Sequence, residues 1–128
     1  MSKLGKLSDV EMEVMQTIWG LANPVTVSQL LSIFDSKEWK TSTMSTMLER
    51  IISKGFLQKK MQGKTNHYSV VATLEDYQKQ EGRSILASLY GGSVKNFVAA
   101  LVEDGNMTAD DVIELREWFA SIDKEGAK

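Results

Sequence analysis

Residues 40–71 read KTSTMSTMLERIISKGFLQKKMQGKTNHYSVV, and the rest of the chain is best understood from this run. Apolar side chains recur at Met44, Met47, Leu48, Ile51 and Ile52, the spacing of one buried helical face. Thr41, Ser42 and Thr43 supply short hydroxyls suited to capping the start of a helix over 41–54, and Gly55 is placed to end it. The opposite face carries Ser42, Thr43, Ser45, Thr46, Glu49, Arg50 and Ser53. Two short strands follow, Phe56 to Met61 and Asn66 to Val71. The turn Gln62-Gly63-Lys64-Thr65 between them makes a hairpin with Lys59, Lys60 and Lys64 near its tip. Small hydroxyl side chains let a helix backbone approach base edges in a major groove, where Ser, Thr and Arg can donate. A basic hairpin beside such a helix can follow the sugar–phosphate backbone. An ordinary amphipathic helix with a solvated polar face fits the same pattern, so the charge distribution has to separate the two.

The formal net charge of the 128 residues is −2, which by itself argues against a nucleic-acid partner. The charge is segregated, however. Residues 1–36 hold two basic and four acidic side chains, and residues 69–128 hold six basic and eleven acidic. Between them, residues 37–68 hold seven basic side chains (Lys37, Lys40, Arg50, Lys54, Lys59, Lys60 and Lys64) against Glu38 and Glu49, a balance of +5. The positive portion coincides with the helix and hairpin suspected of facing phosphate.

Upstream, Ser8-Asp9-Val10-Glu11 is a capping-box pattern, and the helix it opens buries Val14, Met15, Ile18 and Trp19 before Gly20. Thr26-x-x-Gln29 repeats the logic for a short helix burying Val27, Leu30, Leu31 and Phe34, with Val25 free to pair briefly with the hairpin. Helix, short strand, helix, helix, hairpin is the order of a winged helix-turn-helix domain, expected over residues 1–72. Downstream, residues 73–128 read as three helices. Leu74–Tyr90 carries Tyr77, Ile85, Leu86 and Leu89 as apolar positions and is broken by Gly91-Gly92. Ser93–Glu103 carries Val94, Phe97, Val98, Leu101 and Val102. A third helix from Thr108 carries Val112, Leu115, Trp118, Phe119 and Ile122. Fewer than ~60 residues of this kind are too few for a separate single-chain core. The expected fold is mainly α with a small β-hairpin: a winged domain plus a C-terminal helical dimerisation region, the alternative being that the three helices pack back onto the winged domain. The expected seam is Leu86, Leu89, Tyr90, Phe97, Val98, Leu101, Val112, Leu115, Phe119 and Ile122.

Other functions find little support. No window approaches the roughly 18 apolar residues of a membrane span, and the N-terminus lacks the apolar core of a signal peptide. The absence of cysteine excludes disulfides and thiolate metal sites and fits a reducing cytoplasm. The single histidine, His67, lies on the hairpin with no nucleophile motif beside it. Asp110 and Asp111 are accounted for by the favourable position of acids in a first helical turn. No enzyme, no metal and no cofactor is expected.

The chain resembles the BlaI/MecI/CopY family of bacterial repressors. Leu7-Ser8-x-x-Glu11-x-Glu13-Val14-Met15-x-x-Ile18-Trp19 is similar to the family's opening helix, with Met12 where a tryptophan is usual. Thr43-Met44-x-Thr46-Met47-Leu48-x-Arg50-Ile51 with Lys54-Gly55 is similar to its recognition helix. Glu38-Trp39-Lys40 leans toward the copper-responsive branch, and Leu89-Tyr90-Gly91-Gly92 toward the β-lactam branch. The resemblance implies a cytoplasmic homodimer that places two winged domains on an inverted-repeat operator in double-stranded DNA and blocks transcription. Groove contacts would fall to Thr43, Thr46 and Arg50, with Ser42 standing where some members have lysine. Ser45, Lys54 and the wing lysines Lys59, Lys60 and Lys64 complete the expected DNA-binding set. Two departures matter. Without cysteine, the copper branch's metal hook is missing. The Asn–Phe bond at which the β-lactam branch is cleaved aligns with Ala100-Leu101, while Asn96-Phe97 lies four residues early. The resemblance leaves the release signal, and any sensor protease, open. The alternative from another class is a protein-interaction adaptor that uses the winged fold without DNA.

Overall fold

Ser8 and Glu11 bond as their spacing requires. In the computed structural model, which describes residues 3–124, the Ser8 hydroxyl accepts from the Glu11 N–H at 3.2 Å and the Glu11 carboxylate accepts from the Ser8 N–H at 2.9 Å. Helix α1 (Asp9–Trp19) starts there, and Thr26 with Gln29 forms the same reciprocal cap on α2 (Val27–Ile33). A single 3₁₀ turn over Asp35–Lys37 leads to α3 (Thr41–Ser53). The hydroxyls of Thr41, Ser42 and Thr43 do not cap α3, contrary to the expectation from sequence. The N-cap is Lys40, with no side-chain cap, so Thr41, Ser42 and Thr43 stand inside the first turn.

The end of α3 follows from Gly55. Its φ of +100° is open to glycine at low cost, and it allows Gly55 N–H to reach the Ile52 carbonyl and Phe56 N–H to reach the Ile51 carbonyl. That paired closure turns the chain directly into the hairpin of β1 (Leu57–Gln62) and β2 (Thr65–Val70). The strands are antiparallel, in register from Leu57 opposite Val70 to Gln62 opposite Thr65. Gly63 at φ +63° occupies the first position of the two-residue turn, where a II′ hairpin needs it. Val25 adds the expected one-residue third strand. It exchanges both backbone hydrogen bonds with Tyr68, at 2.9 and 2.8 Å.

The core lies between these elements. Val14, Met15 and Ile18 from α1, Leu30 from α2, Met44, Leu48 and Ile51 from α3, and Phe56 at the root of the hairpin are fully buried. At about 25 cal/mol per Å² of apolar surface, this shared burial is what holds α3 at a set angle to the hairpin.

The chain divides into two compact units, Met1–Glu81 and Gly82–Lys128. This moves the boundary expected at residue 72. The first two turns of α4 (Leu74–Tyr90) belong to the winged unit. Tyr77 is buried, its ring edge-on to Phe56 at 5.1 Å and its hydroxyl accepting from the Leu7 N–H at 2.9 Å. Gln80, one turn on, exchanges two hydrogen bonds with the Leu4 backbone. The change in composition after Val71 marks the end of the hairpin, while packing continues one helix face further.

In the second unit the remainder of α4 is followed by α5 (Val94–Glu103), capped by Ser93, and α6 (Ala109–Lys124), capped by Thr108 with Asp111. No residue between Gly82 and Ile122 is buried. No single helix among the described residues is long and apolar enough to cross a membrane.

Candidate nucleic-acid interface

α3 is two-faced. With Met44, Leu48 and Ile51 sunk in the core, the 3.6-residue period turns Ser42, Thr43, Thr46 and Arg50 outward, all exposed, with Ser45 half-buried. Ser42, Thr43, Thr46, Met47 and Arg50 line one open depression of about 300 Å³. None of the four exposed side chains hydrogen-bonds to the described residues. The Arg50 guanidinium has no carboxylate partner among them. Short hydroxyls beside a long unpaired cation form a surface that can donate to acceptors without first breaking internal bonds.

The hairpin stands beside this helix. Lys59 of β1 forms an ion pair at 2.5 Å with Glu49 of α3, and that hydrogen bond to Glu49, only partly offset by desolvation, raises the Lys59 pKa. Lys60 and Lys64 are exposed and make no ion pair among the described residues. His67 is half-buried, with Nδ1 3.2 Å from the Thr65 carbonyl oxygen.

Lys54 departs from its expected role as a phosphate contact. Its ammonium donates to Glu11 at 2.5 Å, and its stem lies against Gly5. Glu11 is itself 4% exposed. Burial would push its carboxyl up, but Lys54 and the Ser8 N–H and hydroxyl more than offset this and hold it below the usual carboxylate range. Lys54 is thus a structural cation tying α3 to α1. Of the seven cations in the basic segment, Lys37, Lys54 and Lys59 are committed to Glu13, Glu11 and Glu49. Each pairing joins different elements, so local spacing carried no sign of it. Lys40 is the addition. It is exposed, without an ion pair among the described residues, at the N-terminal end of α3. Its place directly before the first helical residue was the available signal.

The residues expected at a dimer seam all fall in the helices of the second unit. Leu89 is 73% exposed and Phe119 55%. Leu101 and Val112 are also exposed, and Leu86, Tyr90, Phe97, Val98, Leu115 and Ile122 are half-buried. Ile113, 48% exposed, had been overlooked because it stands outside the apolar stripe of its helix.

The fold and this surface define a winged helix-turn-helix protein whose helix α3 presents hydroxyls and Arg50, and whose wing presents Lys60 and Lys64, without ion-pair partners among the described residues. The sequence profile described as "Penicillinase repressor" matches residues 7–121. The chain belongs to the penicillinase repressor family, a family of DNA-binding repressors. It is 29% identical over 115 residues to the penicillinase repressor of Bacillus licheniformis, covering 90% of each chain. It is 26% identical to the methicillin resistance regulatory protein MecI of Staphylococcus aureus (strain N315), covering 90% of this chain and 94% of the relative. Among solved structures it is similar to the DNA-binding domain of the repressor BlaI, with a TM-score of 0.52 and 31% identity over 60% of this chain and 94% of that one.

Proposed function

We propose that the chain is a homodimeric transcriptional repressor that inserts α3 into the major groove of an inverted-repeat operator and lays its hairpin along the adjacent backbone. The observation that carries this reading is the depression on α3, where Ser42, Thr43, Thr46 and Arg50 are exposed and their side chains make no hydrogen bond or ion pair among the described residues. The solved relative described as a DNA-binding domain supports it. Thr43, Thr46 and Arg50 are the groove contacts, with Ser42 and Ser45 flanking them. Lys40, Lys60 and Lys64 are the phosphate contacts. Such a role requires the compartment that holds the DNA, so the protein acts in the cytoplasm of a bacterial cell, with no catalytic step of its own.

Dimerisation is supported by the second unit. Leu89, Val94, Trp118 and Phe119 are each more than half exposed, a run of large apolar surface that a lone chain rarely leaves wet. A second copy supplies both the missing burial and the two-fold symmetry that an inverted repeat mirrors.

The test is a salt titration of binding to DNA from upstream of the protein's own gene. Affinity should fall steeply as salt rises, with a log–log slope of about −0.9 per phosphate contacted. Affinity independent of salt, or no retardation of any fragment at low salt, would remove the DNA reading and favour a protein partner for the same surface.

A further inference from the structure

We propose that Glu49 cancels the charge of Lys59 and thereby holds down phosphate-led binding to DNA of any sequence. The inference rests on the DNA-binding reading above. Glu49 lies three residues from Thr46 and seven from Ser42, hence on the side of α3 that borders the depression. It is the only acidic side chain in Thr41–Ser53, on a face otherwise made of hydroxyls and Arg50. A carboxylate there is repelled by the phosphates flanking a groove, so its presence calls for a physical reason.

Lys59 supplies the compensation. It crosses from β1 to pair with Glu49, and both side chains remain about half exposed, at 41% and 50%. A pair this exposed is not held rigidly. Lys59 can turn to a phosphate, but Glu49 then faces the same DNA alone. In either arrangement the two groups together bring no net charge to the interface. Phosphate-led affinity is left to Lys40, Lys60 and Lys64. Because phosphate contacts hold any sequence equally, removing one from the count weakens binding to operator and non-operator DNA by the same factor, and discrimination stays with the base-facing side chains.

Glu49→Gln keeps the size and exposure of the side chain and releases Lys59. Binding of wild type and variant should be measured from low to moderate salt on two probes, the upstream DNA fragment and a short random-sequence duplex. The variant should steepen the log–log slope by about 0.9 for each wing engaged. It should tighten random-duplex binding by about eightfold per wing at 0.1 M salt, the factor that this slope alone implies. Lys59→Met leaves Glu49 facing phosphate uncompensated and should weaken binding to both probes, whereas Lys59→Met in the Glu49→Gln background should restore the wild-type slope. Three outcomes would overturn the proposal: an unchanged slope in Glu49→Gln, a selective loss of upstream-fragment binding that marks Glu49 as a reader of cytosine, or binding by Lys59→Met as tight as that of the wild type. Failure of the wild type to bind either probe would instead remove the DNA reading itself and this inference with it. Circular dichroism of both single variants checks that the fold is intact.

Discussion

Glu11 is a carboxylate that does two jobs at once, closing the cap of α1 and holding Lys54 at the end of α3. Lys54→Met leaves it buried without its cation. Because Lys54 is partly exposed, the cost should be about 2 kcal/mol, the lower side of what an orphaned buried charge incurs, measured by urea unfolding. The pH dependence follows from the lowered Glu11 pKa. Its contribution is fully present above the ordinary value of 4.5 and is lost as pH falls through the lower folded value. Glu11→Gln should therefore be less stable at neutral pH and lose less stability on acidification below 4.5 than the wild type. Arg50 sits at the other functional extreme, exposed and unpaired. Arg50→Ala should weaken operator binding by about 1–3 kcal/mol if the guanidinium reads a guanine edge, with little change in thermal stability. An equal loss on random duplex would reassign Arg50 to phosphate.

At the level of elements, the junction between α3 and β1 controls how the reading helix and the wing are placed. Gly55 makes the junction possible, because a side chain at φ +100° is strained and a Cβ would also come within 3.1 Å of Leu4 Cδ2. Gly55→Ala should cost about 1–2 kcal/mol of stability in urea unfolding. It should also reduce operator affinity at temperatures where the domain remains folded, since the wing angle depends on that closure. Unchanged affinity would show that the core alone orients the hairpin. The Glu49–Lys59 pair acts at this same junction, electrostatically rather than sterically.

For the whole molecule, the two compact units have opposite characters. The winged unit has a fully buried apolar core, while α5 and α6 bury no residue among those described. Helices with that much apolar exposure are stabilised by association, so operator affinity and oligomeric state should be coupled. Replacing Leu115 and Phe119 together by Asp places charge in the proposed seam and should give a monomer in sedimentation analysis. Operator binding should weaken by far more than the loss of any single contact, since two half-sites are then bound independently. A double variant that stayed dimeric would show that the seam uses the other face of α6.

Much of this architecture was legible from local pattern. Both reciprocal caps, the helix stripes, the glycine stop, the hairpin and the concentration of positive charge are properties of neighbouring residues, and short-range backbone physics acts on them directly. The outward direction of Thr43, Thr46 and Arg50 followed from the period of the helix. The extension of the winged core through Tyr77 and Gln80 was hidden, because each meets a partner some 70 or more positions away. The fate of the cations was hidden because each pairs across two elements whose packing no local pattern specifies. Lys54 and Lys59 read as free positive charges in the chain, yet folding brings each against a carboxylate of a different element. Composition counts charges one residue at a time, whereas which of them stays available to a phosphate depends on distances that arise only when helices and strands pack together.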